Sequence, residues 1–242
     1  MRKKIITIVC IVFLLCSSSI YGKEYKVSIK KLPGIEDELV NLVRSVIEAT
    51  GNTAVIEIAP PGKSEFLINN NKVDIEYPAI YIAELKKGVN LEYDYSSSKV
   101  GKISFVFYSN KDNPVDIESV KKDRLRKFNI ETEPSLYGKF DYNFIQTTNI
   151  NASLKKLSLG KIDGFITVQA TGDIFLKKSG LKNIKRQLWY EYPWTFAIKK
   201  GAKGGEIDKM LSEGIRILKE QGKLDGLIGL KDNETSYDDW QP

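Results

Sequence analysis

Histidine is absent from all 242 residues, and the only two cysteines are Cys10 and Cys16. That removes Ser-His-Asp and Cys-His nucleophile sites and any histidine-ligated metal. No Gly-x-Gly-x-x-Gly turn and no Walker-type phosphate loop occurs. What remains is the chemistry of carboxylates, hydroxyls, amides and aromatic rings. A carboxylate-only enzyme or a carboxylate-bound Ca²⁺ stays formally open. Asp-rich spots such as Asp238-Asp239 are isolated, however, and no calcium-loop spacing appears. The residue types therefore favour recognition over turnover, with no cofactor, no metal and no catalytic residue expected.

Recognition groups in α/β sheets stand beyond the carboxyl ends of strands. Two strand ends are legible. The first gives Glu76, Tyr77 and Tyr81, and the second gives Thr167 and Gln169. Each has a plainer reading. Glu76 would be a solvated strand-end carboxylate, and the tyrosines would be packing groups that bury large areas anyway.

The elements behind these positions follow one grammar used twice. Ile150, Leu154 and Leu157 share a helical face, Gly160 stops the helix, and Lys161-Ile162-Asp163 leads into the apolar run Phe165–Val168. Earlier, Phe66-Leu67-Ile68 runs into Asn69-Asn70-Asn71 and then Lys72-Val73-Asp74-Ile75-Glu76. Two copies of a helix-stop-Lys-aliphatic-Asp-strand unit suggest two similar α/β halves. Coincidence between two ordinary loops is the competing explanation.

The flanking chain fits this pattern. Tyr25–Ile29 reads as a strand. Ile35–Thr50 reads as an amphipathic helix with Glu36, Asp37 and Glu38 in its first turn, where the helix dipole favours acid. Ala54–Ile58 is a second strand, Ser64 opens a short helix to about Asn70, and Val73–Glu76 is a third strand. This βαβαβ order predicts a parallel sheet covered by helices. A short helix at Ile82–Lys86 and a strand at Lys102–Tyr108 follow. The second set runs through a helix at Ile117–Lys127, a brief strand at Phe128–Glu131, a strand at Asp141–Thr147 and helices at Asn151–Leu159 and Thr171–Ser179. The aromatic stretch Leu188–Ile198 regains strand character from Thr195 to Ile198. Ile207–Gln221 is the most clearly amphipathic helix. The polar end, Lys231–Pro242, reads as a loosely held tail.

Arg2-Lys3-Lys4, the apolar Ile5–Leu15, and Ser17-Ser18-Ser19 to Gly22 have the order of a secretory signal. Cleavage after Ser19 and cleavage after Gly22 both fit, and an uncleaved anchor is the competing reading. Leu15 before Cys16 argues against lipidation. Loss of residues 1–22 removes three basic residues and no acid, which leaves 34 basic against 31 acidic side chains. The formal charge falls from +6 to +3. Both cysteines go with it, so the mature chain forms no disulfide. The remaining charge gives no argument for nucleic acid.

In this order and spacing the chain resembles the family 3 periplasmic solute-binding proteins, the receptors of polar amino acid ABC importers. The anchors are the signal, the helix after Pro33-Gly34, Asn71-Lys72-Val73-Asp74, Leu154-x-x-Leu157-x-x-Gly160-Lys161-Ile162-Asp163-Gly164, and Thr195-Phe196-Ala197-Ile198-Lys199-Lys200-Gly201 before an amphipathic helix and Gly222-Lys223-Leu224. The resemblance implies a two-lobed α/β fold. Each lobe would be a mixed, mostly parallel sheet flanked by helices, and two crossovers would join the lobes. Lobe one would be 24–106 plus 196–242 and lobe two 107–195, with crossovers near Phe105–Tyr108 and Tyr192–Phe196. The resemblance adds Ser135 and Tyr137 as ligand contacts, and Tyr108 and Trp194 at the crossovers. Their plainer readings are an ordinary loop serine and hinge packing.

Two departures from the family concern the ligand. No arginine occurs from Ile75 to Val100, where the family usually clamps a carboxylate; Lys86 and Lys87 are the nearest cations. Val168, followed by Gln169, stands where the family usually holds an α-ammonium with Asp. Lysine replaces arginine only as a point charge, so both gaps argue against a standard α-amino acid. The expectation is a monomeric, exported periplasmic receptor that closes on a small polar molecule, with an ABC transporter permease as partner. A dehydratase-like enzyme and a ligand sensor on the same scaffold are the alternatives.

Overall fold

Alternation along Glu24–Lys30 builds β1, with Tyr25, Val27 and Ile29 turned into the core and Glu24 and Lys26 outside. The structure is a computed structural model, which describes residues 22–81, 91–123, 127–134, 136 and 142–228. Helix α1 (Glu36–Glu48) follows, burying Leu39, Leu42, Val43, Val46 and Ile47. Strand β2 (Thr53–Ala59) pairs parallel with one edge of β1. After helix α2 (Pro61–Asn69), strand β3 (Ile75–Ile80) pairs parallel with the other edge. The expected βαβαβ unit is present.

The second unit comprises α3 (Ile117–Lys122), β5 (Ile130–Thr132), β6 (Ile145–Gln146), α4 (Ile150–Ser158), β7 (Gly164–Val168) and α5 (Gln169–Ser179). Strand β5 lies parallel between β6 and β7. The units are linked by two long strands, β4 (Tyr93–Asn110) and β8 (Ile184–Lys199), which run antiparallel along almost their whole length. Helix α6 (Glu206–Glu220) and the single turn α7 (Leu224–Leu227) complete the described fold. The result is one eight-stranded sheet in the order β2-β1-β3-β8-β4-β7-β5-β6.

The sheet has a waist. Residues 194–198 of β8 lie between β3 and β4, while Phe105–Tyr108 of β4 lies between β7 and β8. Between these zones Lys102–Ser104 pairs only with Glu191–Pro193, leaving a neck two strands wide. Phe105–Tyr108, expected at the first crossover, is already paired with β7.

Strands β4 and β8 are much longer than the sequence pattern predicts. Ser96-Ser97-Ser98 lies within β4 with no apolar side chain to hold it there. Its polar groups are met from across the fold instead: buried Asp208 of α6 accepts from Ser96 Oγ, Ser97 N and Ser97 Oγ, each at 2.7 Å. Helix α3 is shorter than expected and ends at Asp123 in extended backbone. The predicted helix at Ile82–Lys86, residues 1–21 of the expected signal 1–22 and the tail from Lys231 lie outside the described residues.

Both Lys-aliphatic-Asp turns have the same geometry. Asn71 and Gly160 take φ of 53° and 66°, the left-handed region that glycine and asparagine tolerate. The next amide, of Lys72 or Lys161, donates to a carbonyl five residues back, Leu67 or Lys156, at 2.9 Å. Asp74 Oδ2 then accepts from Lys26 N at 2.8 Å, and Asp163 Oδ2 from Asn129 N at 2.7 Å. Each aspartate ties its turn to the backbone that leads into, or belongs to, the adjacent parallel strand.

Candidate ligand-binding cleft

The chain leaves β1 at Lys31-Leu32-Pro33, β2 at Pro60-Pro61-Gly62, β5 at Glu133-Pro134 and β6 at Thr147-Thr148. These four strand exits, with Glu65 of α2, surround a cavity of about 560 Å³. Strands from opposite ends of the sheet thus contribute to one space. A small recess continues from it. The recess shares Leu32, Pro33, Pro61, Glu65 and Glu133 and adds Lys30, Pro78, Ile80, Ile103, Leu136, Val168 and Thr171.

Backbone hydrogen bonds fix this rim. Lys31 N donates to Ala59 O at 2.8 Å, which joins the exits of β1 and β2. Thr147 N donates to Thr132 O at 2.9 Å, which joins β6 to β5. Ser28 Oγ and Ser64 Oγ meet at 2.8 Å beneath α2, which seats that helix on β1.

Charges on the wall are arranged in two ways. Lys30 Nζ lies 2.6 Å from Glu76 Oε1 and 3.1 Å from Glu65 Oε1. Burial alone would pull the lysine pKa down, but the two carboxylates outweigh it and hold Lys30 above the ordinary lysine value. Glu133 differs. Burial pushes its carboxyl pKa up, and the hydrogen bond that Thr167 Oγ1 donates to Glu133 Oε2 at 2.5 Å opposes that only in part. Among the described residues no cation pairs with Glu133. Nor do the described residues contain three acidic side chains grouped to hold a metal ion.

The residues chosen from the sequence take distinct places. Glu76 is buried one layer behind the wall as the partner of Lys30. Thr167 is buried behind Glu133. Gln169 is buried in the first turn of α5, next to the wall residue Val168. Tyr77 and Trp194 pack together in the main core, 5.7 Å between ring centroids. Tyr108 belongs to the second core, where its hydroxyl donates to Asp173 Oδ1 at 2.7 Å. Tyr81 lies edge-on to Tyr95, with Lys99 Nζ 5.2 Å from its ring centre. Ser135 and Tyr137 lie outside the described residues.

The ends of β1, β2 and β5, rather than those of β3 and β7, bring Lys30, Lys31, Pro61 and Glu133 to the cavity and its recess.

No family profile matches the chain, and no curated protein matches it by sequence. Solved structures do match by fold. A histidine kinase sensor domain with similarity to periplasmic binding proteins aligns at a TM-score of 0.68 and 15% identity, covering 86% of this chain and 96% of its own. The GluR0 ligand-binding core from Nostoc punctiforme, in complex with L-glutamate, aligns at 0.67 and 14%, covering 87% and 100%. The substrate-binding protein of an ABC uptake transporter from Streptococcus pneumoniae, with bound histidine, aligns at 0.64 and 15%, covering 87% and 93%. The chain has the two-lobed periplasmic-binding-protein-like fold, a mixed α/β sheet flanked by helices. Its fold neighbours include the amino acid receptors of ABC transporters.

Proposed function

We propose that this protein captures a small polar molecule between two lobes, as an exported receptor that delivers it to an ABC importer. Residues 24–106 with 196–242 would form lobe one and 107–195 lobe two, with residues 1–22 a cleaved signal and a periplasmic, monomeric product. One observation carries the reading: strand ends from both halves of the sheet enclose a single cavity of about 560 Å³. Small-ligand sites commonly have volumes of roughly 300–1,000 Å³ and occur where α/β strands end. Amino acid receptors of ABC transporters among the fold neighbours support it. The neck at Lys102–Ser104 and Glu191–Pro193 is the narrowest place about which the lobes would close.

A ligand sensor is the second reading, supported by the histidine kinase sensor domain of the same fold. The two share the cleft and differ in the membrane partner, which crosslinking in native membranes would identify. A thermal-shift screen of the mature protein against amino acids, amines, sugars and carboxylates tests the shared reading. Ligand at a hundredfold excess over Kd stabilises by about 2.7 kcal/mol. The expected result is a saturable shift by one chemical class, with the compound recovered unchanged. Silence across all classes, or conversion of the compound to product, would contradict it.

A further inference from the structure

The cavity wall accepts hydrogen bonds more readily than it donates them. Four of its residues, Pro33, Pro60, Pro61 and Pro134, have no N–H. The amide of Lys31 is committed to Ala59 O and that of Thr147 to Thr132 O. The ammonium of Lys30 is held by Glu76 and Glu65. Among the described residues no arginine lines the cavity. The N-terminus of α2 also faces this space, and such a terminus ordinarily suits an anion. Here, however, its cap and first position are Pro60 and Pro61, which removes two of the four amides that would serve one. Lys31 is exposed and offers an anion only a hydrated point charge. Against this stands Glu133, a half-buried carboxylate on the wall whose partner among the described residues is one hydroxyl.

We infer that the cleft selects a primary alkylammonium ion that carries no carboxylate, with its ammonium on Glu133 and its hydrocarbon against the prolines. The inference rests on the cleft being the ligand site. An ammonium brings three donors and no acceptor, which complements a wall of acceptors. A carboxylate brings only acceptors and would face proline rings and Glu133, with the Thr148 and Thr171 hydroxyls, the Gly62 amide and exposed Lys31 as the donors at hand and no guanidinium on the wall among the described residues.

Matched pairs that differ by one carboxylate test this: agmatine against arginine and cadaverine against lysine, by titration calorimetry on the full mature chain. In at least one pair the decarboxylated member is expected to bind tenfold or more tighter. Glu133→Gln, checked for unchanged circular dichroism, is expected to weaken that member tenfold or more. Equal or tighter binding of arginine and lysine overturns the inference, as does failure of all four to bind, and neither result needs the variant. A carboxylate or sugar that binds instead would leave the cleft reading standing. If no compound of any class binds, the cleft reading fails as well.

Discussion

At the residue scale the cleft depends on how two half-buried charges are satisfied. Lys30 is neutralised inside the protein by Glu76 and Glu65, whereas Glu133 meets only a hydroxyl from Thr167 among the described residues. A buried ionised group without a counter-charge costs stability. The sign follows from the direction of its shift. The folded-state pKa of Glu133 lies above the ordinary 4.5, because burial outweighs the Thr167 hydrogen bond. The associated cost is absent below the unfolded value and grows as pH rises through the folded value. Glu133→Gln, which cannot ionise, is therefore expected to melt higher than wild type at about pH 7. The gap should close near pH 4, where both side chains are neutral. Equal melting temperatures at both values would show that Glu133 is not strained by burial. Lys31 and Glu65, which line the same cavity, are present in both proteins.

This residue was hard to find from sequence for a local reason. Strand β5 has only three residues, Ile130–Thr132, and the pattern places its end at Glu131. With the end set one residue too early, the first position beyond it is Thr132 rather than Glu133. Glu76 was visible because β3 carries a longer apolar signal, yet its neighbour Lys30 sits between it and the cavity. Sequence spacing identifies a strand end but not which side chain reaches the space beyond it.

At the element scale the repeated turn was the most legible feature. Short-range chemistry dictates it: a helix stop of positive φ, an amide returning to the last helical turn, and an aspartate reaching the adjacent backbone. Its energetics can be measured directly. Gly160 and Asn71 are both exposed, and nothing lies within 4 Å of a Cβ built at Gly160. A change to alanine there therefore acts through backbone conformation. Gly160→Ala and Asn71→Ala are each expected to cost about 1 kcal/mol in urea unfolding, with unchanged m-value. Unchanged midpoints would mean that neither turn needs its left-handed residue. Strands β4 and β8 were the least legible elements. Their serine-rich and proline-containing stretches are strand only because an antiparallel partner, and in β4 the carboxylate of Asp208, satisfy them from far along the chain. Such support has no local sequence signal.

At the scale of the whole molecule, the narrow neck and the shared cavity lead to one account. Two sets of parallel strands in one sheet are joined by the ribbon of β4 and β8, and their strand ends face a common space. Ligand binding there would draw the units together by contacts available only when closed. The α/β class was legible in the order of elements. The proline-lined, acid-bearing wall was not, because its pieces come from four exits far apart in sequence. Gly62 lines the cavity, and no atom lies within 4 Å of a Cβ built there. Gly62→Trp should therefore obstruct the space while leaving the fold intact. The decisive measurement is calorimetric titration of wild type and Gly62→Trp with whichever compound stabilises the wild type most. Single-site binding by wild type, weakened tenfold or more in the variant at equal melting temperature, is the predicted result, a loss of at least about 1.4 kcal/mol. Equal affinity in the two proteins would place the ligand elsewhere and contradict the account.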